Sequence, residues 1–132
     1  MQAEYSLKSA GCIFCDRSAV REVERNELAV AFRDAFPVTP LHTLVIPHRH
    51  VADYFSLHQA EVTAINRLLQ SQRTQLMELD CSIEGFNVGI NCGETAGQTI
   101  FHAHVHLIPR RIGDVEHPRG GIRHVIPGKG SY

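Results

Sequence analysis

The segment Phe101–Leu107 alternates apolar residues with histidines, and this alternation is the strongest constraint on how the chain folds. Successive side chains of a β-strand point to opposite faces, so the pattern predicts a strand over Thr99–Ile108 that ends at Pro109. One face of this strand carries only apolar side chains, Phe101 among them, and is expected to pack in the core. Three imidazoles on the other face repel one another when charged and lack partners when buried without a function. The sequence therefore predicts a functional site on the face formed by His102, His104 and His106.

Two kinds of chemistry suit three imidazoles on one face of a strand. The histidines could ligate a catalytic metal ion, as groups of histidines do in metalloenzymes. Alternatively, one imidazole is a nucleophile that attacks phosphorus, with Nδ1–H held by a carbonyl so that a neutral Nε2 faces the substrate. The spacing of the three residues does not separate these interpretations.

The remaining hydrophobic pattern predicts an α+β fold with an antiparallel sheet, in a single domain over residues 1–132. Apolar runs at Leu28–Phe32 and Thr43–Ile46 predict strands, and alternation in Phe86–Asn91 predicts another. A capping-box pattern at Ser56–Gln59 predicts one long helix that continues to about Leu79. We expect the core to lie within residues 12–110 and a loop-rich, mildly basic tail to occupy residues 111–132.

Composition and hydropathy exclude several classes of protein. The net charge is -1, which argues against a general nucleic-acid or membrane-surface binder. No apolar run approaches the ~18 residues of a membrane span, and the first ten residues lack the apolar core of a signal peptide. We therefore expect a cytoplasmic protein with free thiols and with neither nucleic-acid nor membrane partners.

Cys12 and Cys15 form a C-x-x-C pair, which is typical of half a zinc site or of a redox pair. The redox interpretation expects a strand before the motif, whereas only the short polar segment Ser6–Gly11 precedes it. The pair is therefore predicted to ligate a metal ion, and a turn that buries two thiols is the alternative. Cys81 and Cys92 have no partner at a useful spacing and are expected to be small buried residues.

Taken together, these motifs resemble the histidine triad (HIT) superfamily of nucleotide hydrolases and transferases. The matching segments occur in the order of that family: Cys12–Cys15, Ala31–Asp34, His42–His50, Asn91, Gly97–Thr99 and His102–Arg110. The resemblance implies a HIT-like fold with a five-stranded antiparallel sheet, one long helix and a short N-terminal helix. It also implies a homodimer in which the sheets of two copies pair.

The resemblance further implies a role for each matching residue. His104 corresponds to the nucleophile that forms a covalent nucleotidyl-histidine, which water then hydrolyses. His106 and His42 correspond to histidines that stabilise charge on the phosphate oxygens, and Gln98 to a residue beside the scissile bond. The positions expected to bind the nucleotide, with adenine as the expected base, are Asp34, Phe32, Asn91 and Thr99. The plainer alternatives are a turn carboxylate at Asp34 and a strand residue at Thr99.

In the zinc-bearing branch of this family, two histidines join the C-x-x-C pair. The resemblance thus implies one structural zinc ion per chain, with four protein ligands and no open position for water. The corresponding ligands are Cys12, Cys15, His50 and His102.

Two parts of the sequence give conflicting indications of the leaving group. The tail resembles that of dinucleoside-polyphosphate hydrolases, and one of Arg110, Arg111 and Arg119 is expected to hold distal phosphates. The zinc ligands resemble those of adenosine 5'-monophosphoramidases, which cleave a P–N bond. We expect the protein to release AMP from a dinucleoside polyphosphate. A phosphoramidate is the alternative substrate. A more distant alternative is a metalloenzyme in which the triad ligates the metal ion. Leu41 stands where many relatives carry Gly, and this departure is expected to alter the turn before His42.

Overall fold

The computed structural model describes Tyr5 and residues 7–132. The elements are, in chain order, α1 (Ile13–Asp16), β1 (Arg21–Arg25), β2 (Ala29–Arg33), β3 (Thr43–Pro47), α2 (Gln59–Leu79), β4 (Ile83–Gly89) and β5 (Val105–Arg111). The strands form one antiparallel sheet in the order β1-β2-β3-β5-β4. The predicted α+β class is confirmed, together with the five-stranded sheet, the long helix and the short N-terminal helix. No helix in this part of the chain is long and apolar enough to cross a membrane.

The two faces of the sheet pack against different helices. The face that we call the helix face packs against α2, with Leu68 fully inside the contact. The opposite face, which we call the site face, packs Phe32 and Leu44 against Phe14 of α1. Leu44 is the register partner of His106 in β5, so this imidazole lies on the site face. The helix thus supports the sheet from one side and leaves the other side for chemistry.

Strand β5 begins later than the sequence predicted, at Val105 rather than at residue 99. The ladder between β3 and β5 starts there because the preceding backbone has another partner: the N–H of Ala103 donates to the carbonyl of Val51 at 2.8 Å. His102 and His104 therefore stand before the strand. Phe101, predicted to be in the core, is 47% exposed as a result.

The same strand also ends later than predicted, because Pro109 lies inside it. Proline lacks an N–H and is tolerated in a strand where no ladder hydrogen bond is lost. The pairing of β3 with β5 extends only to Leu107, so β3 offers Pro109 no ladder partner.

Several local assignments also differ from the prediction. Strand β1 was not predicted, because its sequence REVER contains a single apolar residue and it lies at the sheet edge. Helix α2 begins at Gln59 with His58 as its N-cap, two residues later than the capping-box pattern with Ser56 as N-cap suggested. Cys81, predicted to be buried, is exposed just after α2, and Met77 near the end of this helix is 38% exposed.

A buried ion pair joins the end of β3 to the start of α2. Both carboxylate oxygens of Glu61 accept hydrogen bonds from the guanidinium of Arg49, at 3.0 and 2.7 Å, and Glu61 is fully buried. Replacing Glu61 by alanine removes a fully buried carboxylate that accepts two hydrogen bonds from a largely buried guanidinium, so the free energy of unfolding should fall by roughly 3–5 kcal/mol. Urea unfolding measures this loss. Glu78→Ala, in the exposed last turn of the same helix, is the matched control and should change stability by less than about 0.5 kcal/mol. Equal effects of the two substitutions would contradict this role for the ion pair.

Candidate active site and metal centre

Three imidazoles and one carboxylate meet on the site face, and we call them the histidine cluster. His42 directly precedes β3 and His106 lies in β5, with 2.9 Å between His42 Nε2 and His106 Nδ1. Asp34 directly follows β2 and places Oδ2 3.5 Å from the same nitrogen of His42. The ring centroid of His104 lies 5.4 Å from that of His106. The structure thus brings together four of the predicted site residues.

A backbone carbonyl determines which nitrogen of His104 carries the proton. Nδ1 lies 2.8 Å from the carbonyl oxygen of His102, and since a carbonyl only accepts, Nδ1 is the donor. The neutral ring then has its lone pair on Nε2. The side chain is 9% exposed and meets the ring of Phe14 at a centroid distance of 5.2 Å. A held imidazole with a free Nε2 lone pair is the arrangement that a nucleophilic histidine requires.

A backbone N–H determines the tautomers of the other two histidines. The N–H of Val38 donates to Nδ1 of His42 at 3.1 Å, so neutral His42 carries its proton on Nε2. That Nε2–H donates to Nδ1 of His106, which places the proton of neutral His106 on its own Nε2. No acceptor for this Nε2–H is found among the residues that the structure describes. It is therefore a hydrogen-bond donor that a ligand can use.

Burial keeps these two histidines neutral. Burial lowers the pKa of His106 to about 4, and the nearby His104 and His42 add to the effect. Burial also lowers the pKa of His42, although the Asp34 carboxylate opposes this shift. At neutral pH both residues are thus uncharged imidazoles in defined tautomers, available to donate hydrogen bonds without a buried positive charge.

These tautomers and the low pKa of His106 can be measured directly. Two-bond ¹H–¹⁵N NMR spectra should show the proton on Nδ1 in His104 and on Nε2 in His42 and His106. On acid titration, His106 should stay neutral as the pH falls through 6.5, the ordinary value, and protonate only near pH 4, because its charged form is penalised by burial. A His106 that protonates near pH 6.5 would contradict the assignment.

Gln98, predicted to act beside the scissile bond, lies buried under the loop that follows β4. Its Oε1 accepts from the N–H of Gly93 at 2.8 Å. Its Nε2 donates to the carbonyls of Ala52 at 2.6 Å and Ile100 at 3.0 Å. All of these partners are backbone groups, so the side chain shapes the loop between β4 and the histidines.

The predicted nucleotide-binding residues occupy different positions around the cluster. Phe32 is 1% exposed, and its ring centroid lies 5.3 Å from that of Phe14. Asn91 is half-buried, two residues beyond Gly89, the register partner of His106. Thr99 is exposed on the loop that Gln98 holds. Phe32 and Asp34 thus lie on the β2 side of the histidine cluster, and Asn91 and Thr99 on the β4 side.

The four predicted metal ligands converge at a second site beside the first. Their ligand atoms all lie within 4.8 Å of one another. Sγ of Cys15 is 3.3 Å from Nδ1 of His50 and 3.5 Å from Nδ1 of His102, while Sγ of Cys12 is 3.6 Å from the latter. Tetrahedral zinc with ordinary Zn–S and Zn–N bonds requires S···N separations of about 3.5 Å. Nε2 of His102 donates to the carbonyl of Pro47 at 2.8 Å, which leaves its Nδ1 lone pair for a metal ion. The residues fit structural zinc.

The same geometry argues against the triad as a set of ligands for one catalytic metal. His102 turns toward the cysteines, whereas His104 and His106 belong to the histidine cluster. A second group, Asp34 with His42 and His106, also has ligand atoms within 4.8 Å. However, the Val38 N–H holds the proton of neutral His42 on Nε2, the atom that would face the metal. This nitrogen is a donor, not a ligand.

The arginines expected to hold distal phosphates are already engaged. Arg110 forms two hydrogen bonds with the carboxylate of Asp114, at 2.7 and 2.8 Å. Arg111 donates to Asp80 at 3.0 Å, and Arg119 lies over the ring of Tyr132. Since Arg110 and Arg111 are each paired with a carboxylate, neither is a free cation for a polyphosphate.

Sequence reasoning missed two contributors to this site. Phe14 inside the C-x-x-C motif packs on both Phe32 and His104, and only its apolar character could have indicated this. The sequence could not indicate the role of the Val38 N–H, because every residue except proline has a backbone N–H. Leu41 takes a left-handed backbone conformation, with φ of 70°, a region that favours glycine.

Comparisons with known proteins agree with this geometry. Residues 19–113 match the family described as HIT domain. An uncharacterized HIT-like protein of Mycoplasma genitalium is 40% identical over 106 residues, 77% of this chain and 74% of that protein. The bis(5'-nucleosyl)-tetraphosphatase [asymmetrical] of Schizosaccharomyces pombe is 39% identical over 90 residues, 68% of this chain and 49% of that protein. The crystal structure of a Zn-bound histidine triad family protein from Mycobacterium smegmatis has a TM-score of 0.75 at 32% identity, covering 81% of this chain and 80% of the other.

Proposed function

Because this chain belongs to the HIT domain family, we propose that it is a nucleotide hydrolase or transferase that cleaves its substrate at the α-phosphate through His104. The observation that carries this proposal is the tautomer of His104. Its Nδ1–H is held by the carbonyl of His102, and the centroid of its ring lies 5.4 Å from that of His106, which carries its own proton on Nε2. A nucleophile and a neighbouring donor for the phosphoryl oxygens are the two groups that the reaction needs.

The reaction has two steps. Nε2 of His104 attacks the α-phosphorus, a P–Nε2 bond forms, and the leaving group departs with the electrons of the bond that breaks. Water then attacks the same phosphorus, so that the P–Nε2 bond breaks, the nucleoside monophosphate is released and its extra proton passes to solvent. His106 stabilises the phosphoryl oxygens through Nε2–H, and His42 holds His106 in the tautomer that can do so.

The nucleotide is expected to lie across the site face between β2 and the loop after β4. The Asp34 carboxylate is proposed to accept hydrogen bonds from the ribose hydroxyls, and Phe32 with Phe14 to form the wall near an adenine base. Asn91 and Thr99 are proposed to contact the nucleotide from the loop side. Gln98, which also belonged to the predicted catalytic set, is proposed to act by positioning that loop.

We further propose that one zinc ion per chain is bound by the four converging ligands. Zinc in a closed Cys₂His₂ site supplies a structural cross-link, with no open position for water. The cross-link joins the N-terminal segment to His102, whose carbonyl holds His104 in its tautomer. Thiolate ligands suit a reducing compartment, which supports a cytoplasmic location.

The substrate proposed first is a dinucleoside polyphosphate that releases AMP. The similarity to the fission yeast tetraphosphatase supports it. An adenosine 5'-phosphoramidate is the second candidate, favoured by the pairing of Arg110 and Arg111 with carboxylates, which leaves few cations for a polyphosphate.

A substrate panel tests the proposed function. Diadenosine tetraphosphate and AMP phosphoramidates should be compared by kcat/KM, with AMP as the product measured in each reaction. We expect turnover of at least one class, and a higher kcat/KM for the tetraphosphate supports the first candidate. Absence of AMP release from every compound would contradict the proposal.

We also propose that two copies of the chain associate through β4. This strand is at the edge of the sheet, where unpaired backbone groups can extend the ladder into a second copy. Val88 on β4 is 50% exposed and Met77 on α2 is 38% exposed, and both are apolar. A second copy at this edge would cover them.

A further inference from the structure

A cavity of about 400 Å³ lies between the site face and the tail, beside the histidine cluster. Ile108 forms its floor and points the same way as His106, because residues two apart in a strand share a face. Val38, whose N–H fixes the tautomer of His42, forms one wall. At a rise of about 3.4 Å per residue, Ile108 lies about 7 Å along the strand from His106. The cavity therefore begins one row of side chains beyond the reaction centre.

The tail closes this cavity because β4 lets it approach closely. Gly89 is the register partner of His106, and Ile122 of the tail packs over it, 3.7 Å from the position that a Cβ would occupy. A larger side chain at Gly89 would displace the tail. Contacts within the tail hold its shape: two guanidinium groups lie over one ring, those of Arg119 and Arg123 over Tyr132.

The cavity is lined by apolar side chains, an ion pair and two histidines that already have partners. Nε2 of His124 donates to the carbonyl of Arg119 at 2.8 Å, and Nε2 of His117 lies 3.7 Å from a carboxylate oxygen of Glu116. Val38 is 68% exposed and Val115 is 47% exposed, so both present apolar surface to a ligand in the cavity. Among the described residues, Arg110 is the arginine that lines this cavity. Its guanidinium donates hydrogen bonds to the carboxylate of Asp114 and to the amide oxygen of Asn87. The guanidinium holds the pKa of Asp114 far below its usual range, so the pair stays ionised and its charges cancel. Such a lining favours an uncharged ring over a polyanion.

We propose that this cavity is the subsite for the leaving group, and that the part it holds is an uncharged ring. The ring would be the second nucleoside of a dinucleoside polyphosphate or the aryl group of an amine. The inference rests on the proposed function, because a leaving group exists only if His104 attacks the α-phosphate. As the bond from phosphorus to that group breaks, the group departs with the bonding electrons toward the cavity.

Binding tests the subsite independently of turnover. In the His104→Ala protein, NMR follows the methyl signals of Ile108 and Val115 while ligands are added. Diadenosine tetraphosphate is compared with adenosine 5'-tetraphosphate, and the tryptamine phosphoramidate of AMP with the unsubstituted phosphoramidate. Within each pair only one compound carries the additional ring. We expect both methyl groups to shift with the ring-bearing compound of at least one pair, and that pair identifies the source of the ring. Shifts that are the same within both pairs, or no shifts, would overturn the proposal.

Turnover provides the second test. Val115→Trp fills the cavity and should lower kcat/KM about tenfold or more for the ring-bearing substrate, with less than about a twofold change for its ring-free counterpart. Val125→Trp is the matched control, since Val125 is 70% exposed in the same tail and does not line the cavity. An equal loss for both substrates of a pair would overturn the subsite. If the methyl groups shift but wild-type protein releases no AMP, the proposed function fails: the cavity binds a ring, and its role as the leaving-group subsite is overturned.

Discussion

Replacing His104 by alanine is expected to abolish AMP release, with kcat falling by at least roughly 10⁴-fold, as when other enzymes lose their nucleophile. His106 and the rest of the site face remain in the variant, so the substrate still binds. His106 cannot substitute as the nucleophile, because its Nδ1 accepts from His42 and its Nε2 therefore carries the proton. The measurement is steady-state release of AMP together with the Kd of the substrate, which should change little.

His58→Ala is the matched control for this substitution. His58 is exposed at the start of α2, on the helix that covers the opposite face of the sheet. Turnover by this variant should equal that of the wild type. A His104→Ala protein that retains a substantial fraction of the rate would show that His104 is not the nucleophile.

Replacing Cys15 by serine is expected to abolish binding of the proposed zinc ion and to lower the melting temperature by more than about 10 °C. Sγ of Cys15 contacts both histidines of the metal centre, at 3.3 and 3.5 Å, so its loss opens the coordination sphere. Turnover should also fall, because the backbone of His102 orients His104. Zinc content by elemental analysis and thermal unfolding by circular dichroism measure these effects.

Cys81→Ser is the control, because Cys81 is exposed and does not belong to the metal centre. This variant should keep one zinc ion per chain and melt within about 2 °C of the wild type. The structural role of the metal would be wrong if Cys15→Ser bound a full equivalent of zinc and melted as the wild type does.

The alternation of histidines predicted the site although it misplaced the strand. His102 and His104 stand before β5, yet their side chains lie at the two candidate sites: His102 lies with the cysteines, and His104 lies beside His106. The long helix was predictable because its apolar period is regular over 21 residues. Strand β1 was not, because a charged edge strand lacks the apolar alternation that distinguishes a strand from a loop.

Hydrogen bonds and ion pairs that depend on tertiary contact were beyond the sequence. The basic residues near the end of β5 indicated a phosphate site, and nothing in their order showed that Asp114 and Asp80 would pair with two of them. His48, two residues before His50, competes with it as a metal ligand on spacing alone; in the structure it is 4% exposed and donates from Nε2 to the carbonyl of Asn26. The tautomers of the cluster depend on two backbone groups, at Val38 and His102, whose positions only the fold determines.

The covalent intermediate is the central claim, and trapping it is the most direct test. Wild-type protein is mixed with a substrate labelled at the α-phosphate, quenched in alkali within one turnover, and digested for peptide mapping. Phosphoramidate bonds to histidine survive alkali, so we expect the label on the peptide that contains His104, attached at Nε2. The absence of a labelled peptide at every time during turnover, with inversion of configuration at phosphorus, would mean that water attacks the substrate directly and would contradict the account.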